Sequence, residues 1–308
     1  MVMYNLGLII ETDENDEIVT NMIIDALNTC DNYVHNNSKN VFLFKILPYN
    51  IDRIIFLHKL IGFPKQFVID YISNLRYMPE QTLKFIGNGS WYNQSVPNTS
   101  AYIKLDDTML LIDCGESIYK ELVNNDLLNG INMLYVYITH NHSDHAGSLA
   151  SLVLRCKYSW NIDVKVMTYT DNVKSLKRIL KSMGCECDVE SVIVKTIKTE
   201  NESIVIRAFE VDHTKDLTCS AIDIKTNNKR LLYTGDINRY IGDYVDVNIY
   251  DEIYTDCSTS YKSNAHVHLD TLDKVVEPII RHKFFCMHLD GTHKQILEKG
   301  FNCANTII

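Results

Sequence analysis

The chain has 308 residues, 46% of them hydrophobic and 22% charged, and carries a formal net charge of −9. This is ordinary globular composition, long enough for one large domain or two smaller ones with a sizeable core. It argues against a membrane span, because no apolar run reaches about 18 residues, and against a long nucleic-acid partner, which asks for a basic face.

The start, "MVMYNLGLIIETDEND", turns acidic without a basic leader or a small-residue cleavage site, so no secretory signal is expected. Nine cysteines without a framework spacing read as reduced thiols in a cytoplasmic protein. The "CEC" at 185–187 is too close for an ordinary bridge.

Residues 1–80 read as a small α+β module of unknown role. "YNLGLIIE" (4–11) is strand-like, and Ile18, Val19, Met22, Ile23, Ala26 and Leu27 share one face of a helix. "VFLFKIL" (41–47) is a second strand. "IDRIIFLHKLIG" (51–62) and "KQFVIDYISNL" (65–75) are helices separated by Gly62 and Pro64. This strand–helix–turn–helix order resembles, in one short apolar pattern, the C-terminal domain of the ribosomal stalk protein. His35 and His58 are expected at the surface or packed, not as ligands.

From residue 83 the texture changes, and residues 81–308 read as a second domain. "LKFIGNGS" (83–90) is a strand running into a glycine-rich turn, and "TSAYIKLDDTMLLIDCGES" (99–117) is a hairpin turned at Asp106-Asp107. Strands recur at 133–138, 163–168, 191–197, 204–211, 219–225, 230–234 and 283–287. Helices are expected near 146–156, 171–183 and 270–281. The basic stretch "KSLKRILKSMG" (174–184) suits the solvated side of an amphipathic helix. Many antiparallel-looking strands with interspersed helices point to two sheets covered by helices, an α+β fold.

The densest chemistry lies in "ITHNHSDHAGS" (138–148), which packs three of eleven histidines and one aspartate into six positions, where a strand hands over to a helix. His140 and His142 alternate along an extended segment and share a side, while Asp144 and His145 open the helix. Imidazole with carboxylate suits zinc, manganese or iron, and no cysteine lies near enough to close a structural zinc site. Four ligand-type side chains in six residues exceed what one metal takes from a loop, so two metals are expected. Three further strands deliver such a side chain at their C-terminal ends: "AFEVDH" to His213, "RLLYTGD" to Asp236 and "KFFCMH" to His288.

These motifs resemble the metallo-β-lactamase-fold hydrolases. "THNHSDH" matches that family's H-x-H-x-D-H motif without a gap, and "LLIDCGE" (110–116) matches the preceding motif. The resemblance covers roughly residues 83–300 and implies an αββα sandwich. It also implies a metal set in which His140, His142 and His213 hold one ion, Asp144, His145 and His288 a second, and Asp236 bridges both. Asp113 would orient a histidine ligand. "FIGNGS…NTSAYI", "YTGDIN", "AHVHL" and "CMHLDG" are similar to the branch that includes tRNase Z and the cyclic-nucleotide phosphodiesterases, and relatives often dimerise to complete the pocket. By position His266 would be that branch's additional histidine. His268 is expected as a helix cap.

Two divalent ions, zinc first with manganese or iron(II) as alternatives, would offset the charge of an anionic phosphodiester. The expected reaction is hydrolysis of a small nucleotide phosphodiester, cyclic forms included, with His266, Asp144 and Asp113 as the catalytic set. A homodimer is compatible with this. The first alternative is tRNA 3′-end processing, against which stands the stretch 146–212, with no proline and only Gly147 and Gly184 where tRNase Z inserts its tRNA-gripping arm. The second is a non-catalytic sensor. An intact set of seven ligands counts against it.

Overall fold

A computed structural model of the protein describes residues 81–260, 264–291 and 293–307, and within the first 80 residues three strands. The chain divides into two compact units, Met1–Glu80 and Gln81–Ile308. In the first, β1 (Leu6–Glu11), β2 (Tyr33–Asn36) and β3 (Val41–Ile46) form an antiparallel sheet in the order β1-β3-β2. His35 lies on β2. The helices expected at 18–27, 51–62 and 65–75, the stalk-like order and His58 lie outside the described residues.

The second unit holds two sheets. One is built, in spatial order, from β4 (Lys84–Gly87), β5 (Ser100–Leu105), β6 (Thr108–Ile112), β7 (Met133–Ile138), β8 (Asp163–Thr168) and β9 (Val189–Ser191). The other runs β10 (Val194–Lys198), β11 (Ser203–Thr214), β12 (Leu217–Lys225), β13 (Arg230–Tyr233), β14 (Glu252–Asp256), β15 (Phe284–Met287) and β16 (Asn302–Cys303).

Alternation along the strands makes four layers. Leu110, Ile112, Tyr137 and Met167 of one sheet meet Ile206, Ile222, Tyr233, Tyr254 and Phe285 of the other in a core between the sheets. Their neighbours Met109, Leu111, Leu134 and Val136 point outward. They pack under helices α1 (Ile118–Asn124), α3 (Leu149–Arg155) and α4 (Val173–Ser182), through Ile118, Leu122, Leu152 and Leu176. On the far side Leu232, Ile253, Phe284 and Cys286 pack against Leu269 and Leu272 of α5 (Leu269–Val275) and Ile296 of α6 (His293–Glu298). This is the αββα sandwich of the metallo-β-lactamase fold.

Several local expectations need correction. The sheets are mixed, not antiparallel: β6 to β9 and β13 to β16 run parallel. Parallel neighbours need crossovers, which the helices supply. The strand expected at 191–197 is two strands, one in each sheet, separated at Val192-Ile193. The helix expected at 146–156 is α2 (Ser143–Ala146) followed by α3, and the break falls at Gly147-Ser148, where Ser148 N donates to Cys114 O (3.1 Å). The helix expected at 270–281 ends at Val275. Pro278 opens a separate 3₁₀ turn after an extended Glu277 (ψ 137°), as the residue before proline prefers. Strand β14 and helix α1 were not foreseen. No helix among the described residues is long and apolar enough to cross a membrane.

Candidate metal centre

The parallel segments of both sheets, and with them the antiparallel-paired β11, end at one edge, and the site is built from their C-terminal ends. Asp113 follows β6, His140 and His142 follow β7, His213 lies near the end of β11, Asp236 follows β13, Asp256 ends β14 and His288 follows β15. Two of these residues hold unusual backbone. Asp113 (φ 63°) and His288 (φ 57°) sit in the left-handed region, which Asp and His visit more readily than most residues. That turn swings each side chain off the strand end. Asp236 is admitted by Gly235 (φ 61°). A Cβ there would lie 3.0 Å from Ser220 O and 3.1 Å from the Thr139 side chain.

All seven expected ligands come together. His140 Nε2 lies 2.9 Å from His142 Nδ1, and His213 Nε2 lies 3.3 Å from the same atom. Asp236 Oδ2 stands 3.7 Å from His140 Nε2 and 3.6 Å from His213 Nε2. On the other side His288 Nε2 lies 3.1 Å from Asp144 Oδ2, and His145 Nε2 lies 3.5 Å from that oxygen and 3.2 Å from Asp236 Oδ1. Three sets therefore have one donor atom each within 4.8 Å of one another: His140, His142, His213 and Asp236; Asp144, His145 and His288; and Asp236, Asp256, His266 and His288.

The backs of the rings fix which nitrogen faces the centre. His145 Nδ1 donates to Asp113 Oδ2 (2.9 Å), and His213 Nδ1 donates to Ala265 O (2.7 Å). The Thr139 hydroxyl spends its proton on Asp113 (2.9 Å), so it accepts from His140 Nδ1 (3.1 Å). Each of these three rings then presents the Nε2 lone pair inward, the tautomer a metal ligand needs.

Asp256 was missed by sequence reasoning. Its Oδ2 accepts from His266 Nδ1 (2.7 Å) and from Ile237 N (3.1 Å), and its Oδ1 lies 3.6 Å from His288 Nδ1. The His266 ring stacks on that of His288 with centroids 4.8 Å apart. The signal was present, since "EIYTD" is one more strand ending in a carboxylate. His268 is the N-cap of α5, its ring accepting from Asp270 N (3.1 Å).

Electrostatics set what the centre can do. Among the described residues, every ion pair of Asp113, Asp144, Asp236 and Asp256 is to histidine. Burial opposes charge on Asp236, but the neighbouring His145 and His288 outweigh it and hold the carboxyl well below its usual range. Burial likewise opposes protonation of His288, yet Asp236, Asp144 and Asp256 push it up to about 10. Burial first, and then the neighbouring His145, push His140 well below the usual imidazole value. In His266 the Asp256 carboxylate outweighs burial and raises the pKa. The centre is thus a buried nest of carboxylates and imidazoles, with no lysine or arginine among the described residues paired to it. His145 Nε2 and Asp236 Oδ1 are buried without a hydrogen-bond partner. Such orphaned donor atoms, in an N/O set of this kind, fit divalent metal ions. A cavity of about 360 Å³ opens onto them, lined by Trp91, His142, Asp144, His213, Asp236 and His266 among others.

The sequence profile of the anti-Pycsar protein Apyc1 family matches residues 81–303. The chain belongs to that family. It is 25% identical over 240 residues to the anti-Pycsar protein Apyc1 of Bacillus phage BSP38, spanning 70% of this chain and 92% of the relative. Among solved structures it is similar to the metallo-β-lactamase fold protein YhfI of Bacillus subtilis (TM-score 0.55, 15% identity, 72% of this chain and 93% of that one). It is also similar to human tRNase Z, short form (TM-score 0.54, 15% identity, 73% and 97%). These structural likenesses carry the fold.

Proposed function

We propose that the protein is a dinuclear metal-dependent phosphodiesterase acting on a small nucleotide, with a nucleoside cyclic phosphate as the preferred substrate. The observation that carries this reading is the pairing of two histidine–carboxylate sets about Asp236 with a third element, His266 on Asp256, at the mouth of one cavity. Sensors need no proton donor beside a metal centre, whereas hydrolysis of a phosphodiester does.

His140, His142, His213 and Asp236 would hold one divalent ion, and Asp144, His145, His288 and Asp236 the other. Zinc suits this donor set first, with manganese or iron(II) next. When bound, such a pair supplies charge neutralisation for the phosphoryl group and an acidified water. The protein's own residues do the rest. Asp113 and Ala265 O keep Nε2 of His145 and His213 turned inward. Asp144 reaches His288 and completes the negative wall facing the cations. Asp256 holds Nδ1 of His266, so the ring's other nitrogen is the one that hands a proton to the departing ribose oxygen. That alkoxide is strongly basic, and a placed general acid contributes roughly 10²–10⁴-fold.

Size and charge favour a small substrate. The cavity of about 360 Å³ is at the lower end of ligand pockets. The stretch 146–212 is filled by α2 to α4 and β8 to β11, leaving no extended arm among the described residues. The net charge of −9 opposes a long polyanion. Eight described cysteines are free thiols, in keeping with a reducing, cytoplasmic setting. Sedimentation of the purified chain tests the homodimer.

The deciding experiment incubates zinc- or manganese-loaded protein with nucleoside cyclic phosphates, cyclic dinucleotides and pre-tRNA. Ring opening of a cyclic mononucleotide well ahead of pre-tRNA cleavage is expected, and the reverse order would reverse the assignment. His266→Ala should retain both metals while kcat falls by about 10²–10⁴-fold on a ribose leaving group and by much less on a nitrophenolate.

A further inference from the structure

The turn at Ser90–Asn93 stands beside the metal centre and has no part in holding it. Asn93 N donates to Ser90 O (3.1 Å), which closes the turn. Two more bonds tie it down: Ser90 N donates to Leu289 O (3.1 Å), and Asn93 Nδ2 donates to the same carbonyl (3.0 Å). Leu289 is the residue after His288, so the turn is anchored to the chain that carries a candidate ligand. At its tip Trp91 is 63% exposed, a large apolar ring left in solvent on a fixed support. Tyr92 meets it edge-to-face with ring centroids 5.1 Å apart, which braces the indole without covering it.

Trp91 lines the main cavity with His142, Asp144 and Asp236, and also a small cavity of about 10 Å³ with His266 and His288. Among the described residues lining the main cavity, it alone brings an aromatic ring other than imidazole. The same turn also carries a small buried polar site, with room for about one water. Ser90 Oγ is buried (the residue is 2% exposed), lines the small cavity and has no hydrogen-bond partner among the described residues. A buried hydroxyl is rarely left so unless something supplies a partner.

We propose that Trp91 is the platform on which the nucleobase of the substrate stacks, so that the base is held by its face while the phosphodiester lies at the metal centre. This rests on the nucleotide reading of the site and adds the residue that recognises the nucleoside half. A flat heterocycle suits an indole held on a rigid turn, because the ordering of the ring is already done before binding.

The experiment compares two substrates, a nucleoside 3′,5′-cyclic phosphate and methyl riboside 3′,5′-cyclic phosphate, which has no base. For Trp91→Ala, KM should rise roughly 5- to 150-fold on the nucleotide, the range expected for one base–aromatic stack. KM for the base-free substrate should be unchanged, and Trp91→Phe should recover most of the loss. A binding readout independent of turnover uses the chain's other tryptophan. Trp160 packs against Arg155, with its ring 5.2 Å from the guanidinium carbon. A Trp160→Phe protein therefore reports on Trp91 alone. Its fluorescence should be quenched by a non-hydrolysable cyclic phosphorothioate nucleotide and not by the base-free analogue.

Equal KM effects on both substrates, no quenching, or loss of a dimer in Trp91→Ala by sedimentation would each overturn the assignment. The last of these would make Trp91 a subunit contact. If the metal-loaded parent opens no nucleotide at all, the phosphodiesterase reading fails and this inference with it. If the parent is active and the Trp91 variants are indifferent, only this inference fails.

Discussion

Asp113→Asn isolates the charge that stands behind His145. The carboxylate accepts from Thr139 N (2.8 Å), from the Thr139 hydroxyl and from His145 Nδ1 (2.9 Å). Asparagine has the same shape and tolerates the left-handed backbone that position 113 requires (φ 63°). Its amide oxygen can keep the Thr139 N–H. Its NH₂ then faces His145 Nδ1–H, donor against donor. His145 relieves that clash by moving its proton to Nε2, which removes the lone pair aimed at the centre. Both residues are buried, at 0% and 1% exposure, so no water can substitute. Loss of such an outer partner typically weakens a metal site about 10- to 100-fold, or roughly 1.4–2.7 kcal/mol.

The metal-free protein should respond differently. Burial pushes the Asp113 carboxyl above its usual range, which marks the buried charge as costly, and the neutral amide removes that cost. The Tm of the apoprotein should therefore move little, while the loss concentrates in the ion held by Asp144, His145 and His288. Competition against a chromophoric chelator of intermediate strength, read with elemental analysis, should show one ion released early and one retained. Unchanged affinity at both sites would refute the orienting role of Asp113. Equal loss at both sites would point to a collapsed fold instead.

His142→Ala should lose metal and activity together from a parent that purifies with close to two transition-metal ions per chain, as measured by elemental analysis. Full occupancy in the variant would contradict the ligand set. A fragment spanning 81–308, the second compact unit, should keep its metals and cleave an aryl phosphodiester; failure to fold would tie the first 80 residues to the core. Gly235→Ala should cost on the order of 1–2 kcal/mol in denaturant unfolding, because a side chain resists the left-handed φ of 61° there and its Cβ would press on Ser220 and Thr139.

Much of the candidate ligand set was legible because His140, His213, Asp236 and His288, like Asp113 behind them, each stand at the C-terminal end of an apolar strand, while His142, Asp144 and His145 crowd the turn and the short helix α2 that follow β7. "LLID", "YVYITH", "FEVDH", "LLYTGD" and "FFCMH" all show the strand-end pattern in a few residues. Strand β14 carries the same pattern to Asp256, but its start disguises it. Glu252 is a charged residue at a buried position, 5% exposed, and it broke the apolar run. Its charge is tolerated because Lys229 pairs with it at 2.5 Å and Thr82 N donates to it at 2.8 Å, partners 23 and 170 residues away in sequence. A local reading cannot anticipate that compensation, and with it went the residue that holds His266.

The strand directions were lost for a related reason. Hairpins announce themselves by short turns, as Asp106-Asp107 does, but parallel pairing depends on which strands a crossover brings together. That pairing is what makes the site. β13, β14 and β15 are parallel neighbours, so Asp236, Asp256 and His288 emerge side by side from one sheet, while β6 and β7 bring Asp113 and His140 to the same edge from the other. An antiparallel arrangement of the same strands would have sent alternate ligands to opposite ends of the sandwich. The motifs therefore carry the donor atoms, and the crossover helices, by enforcing parallel order, carry their convergence.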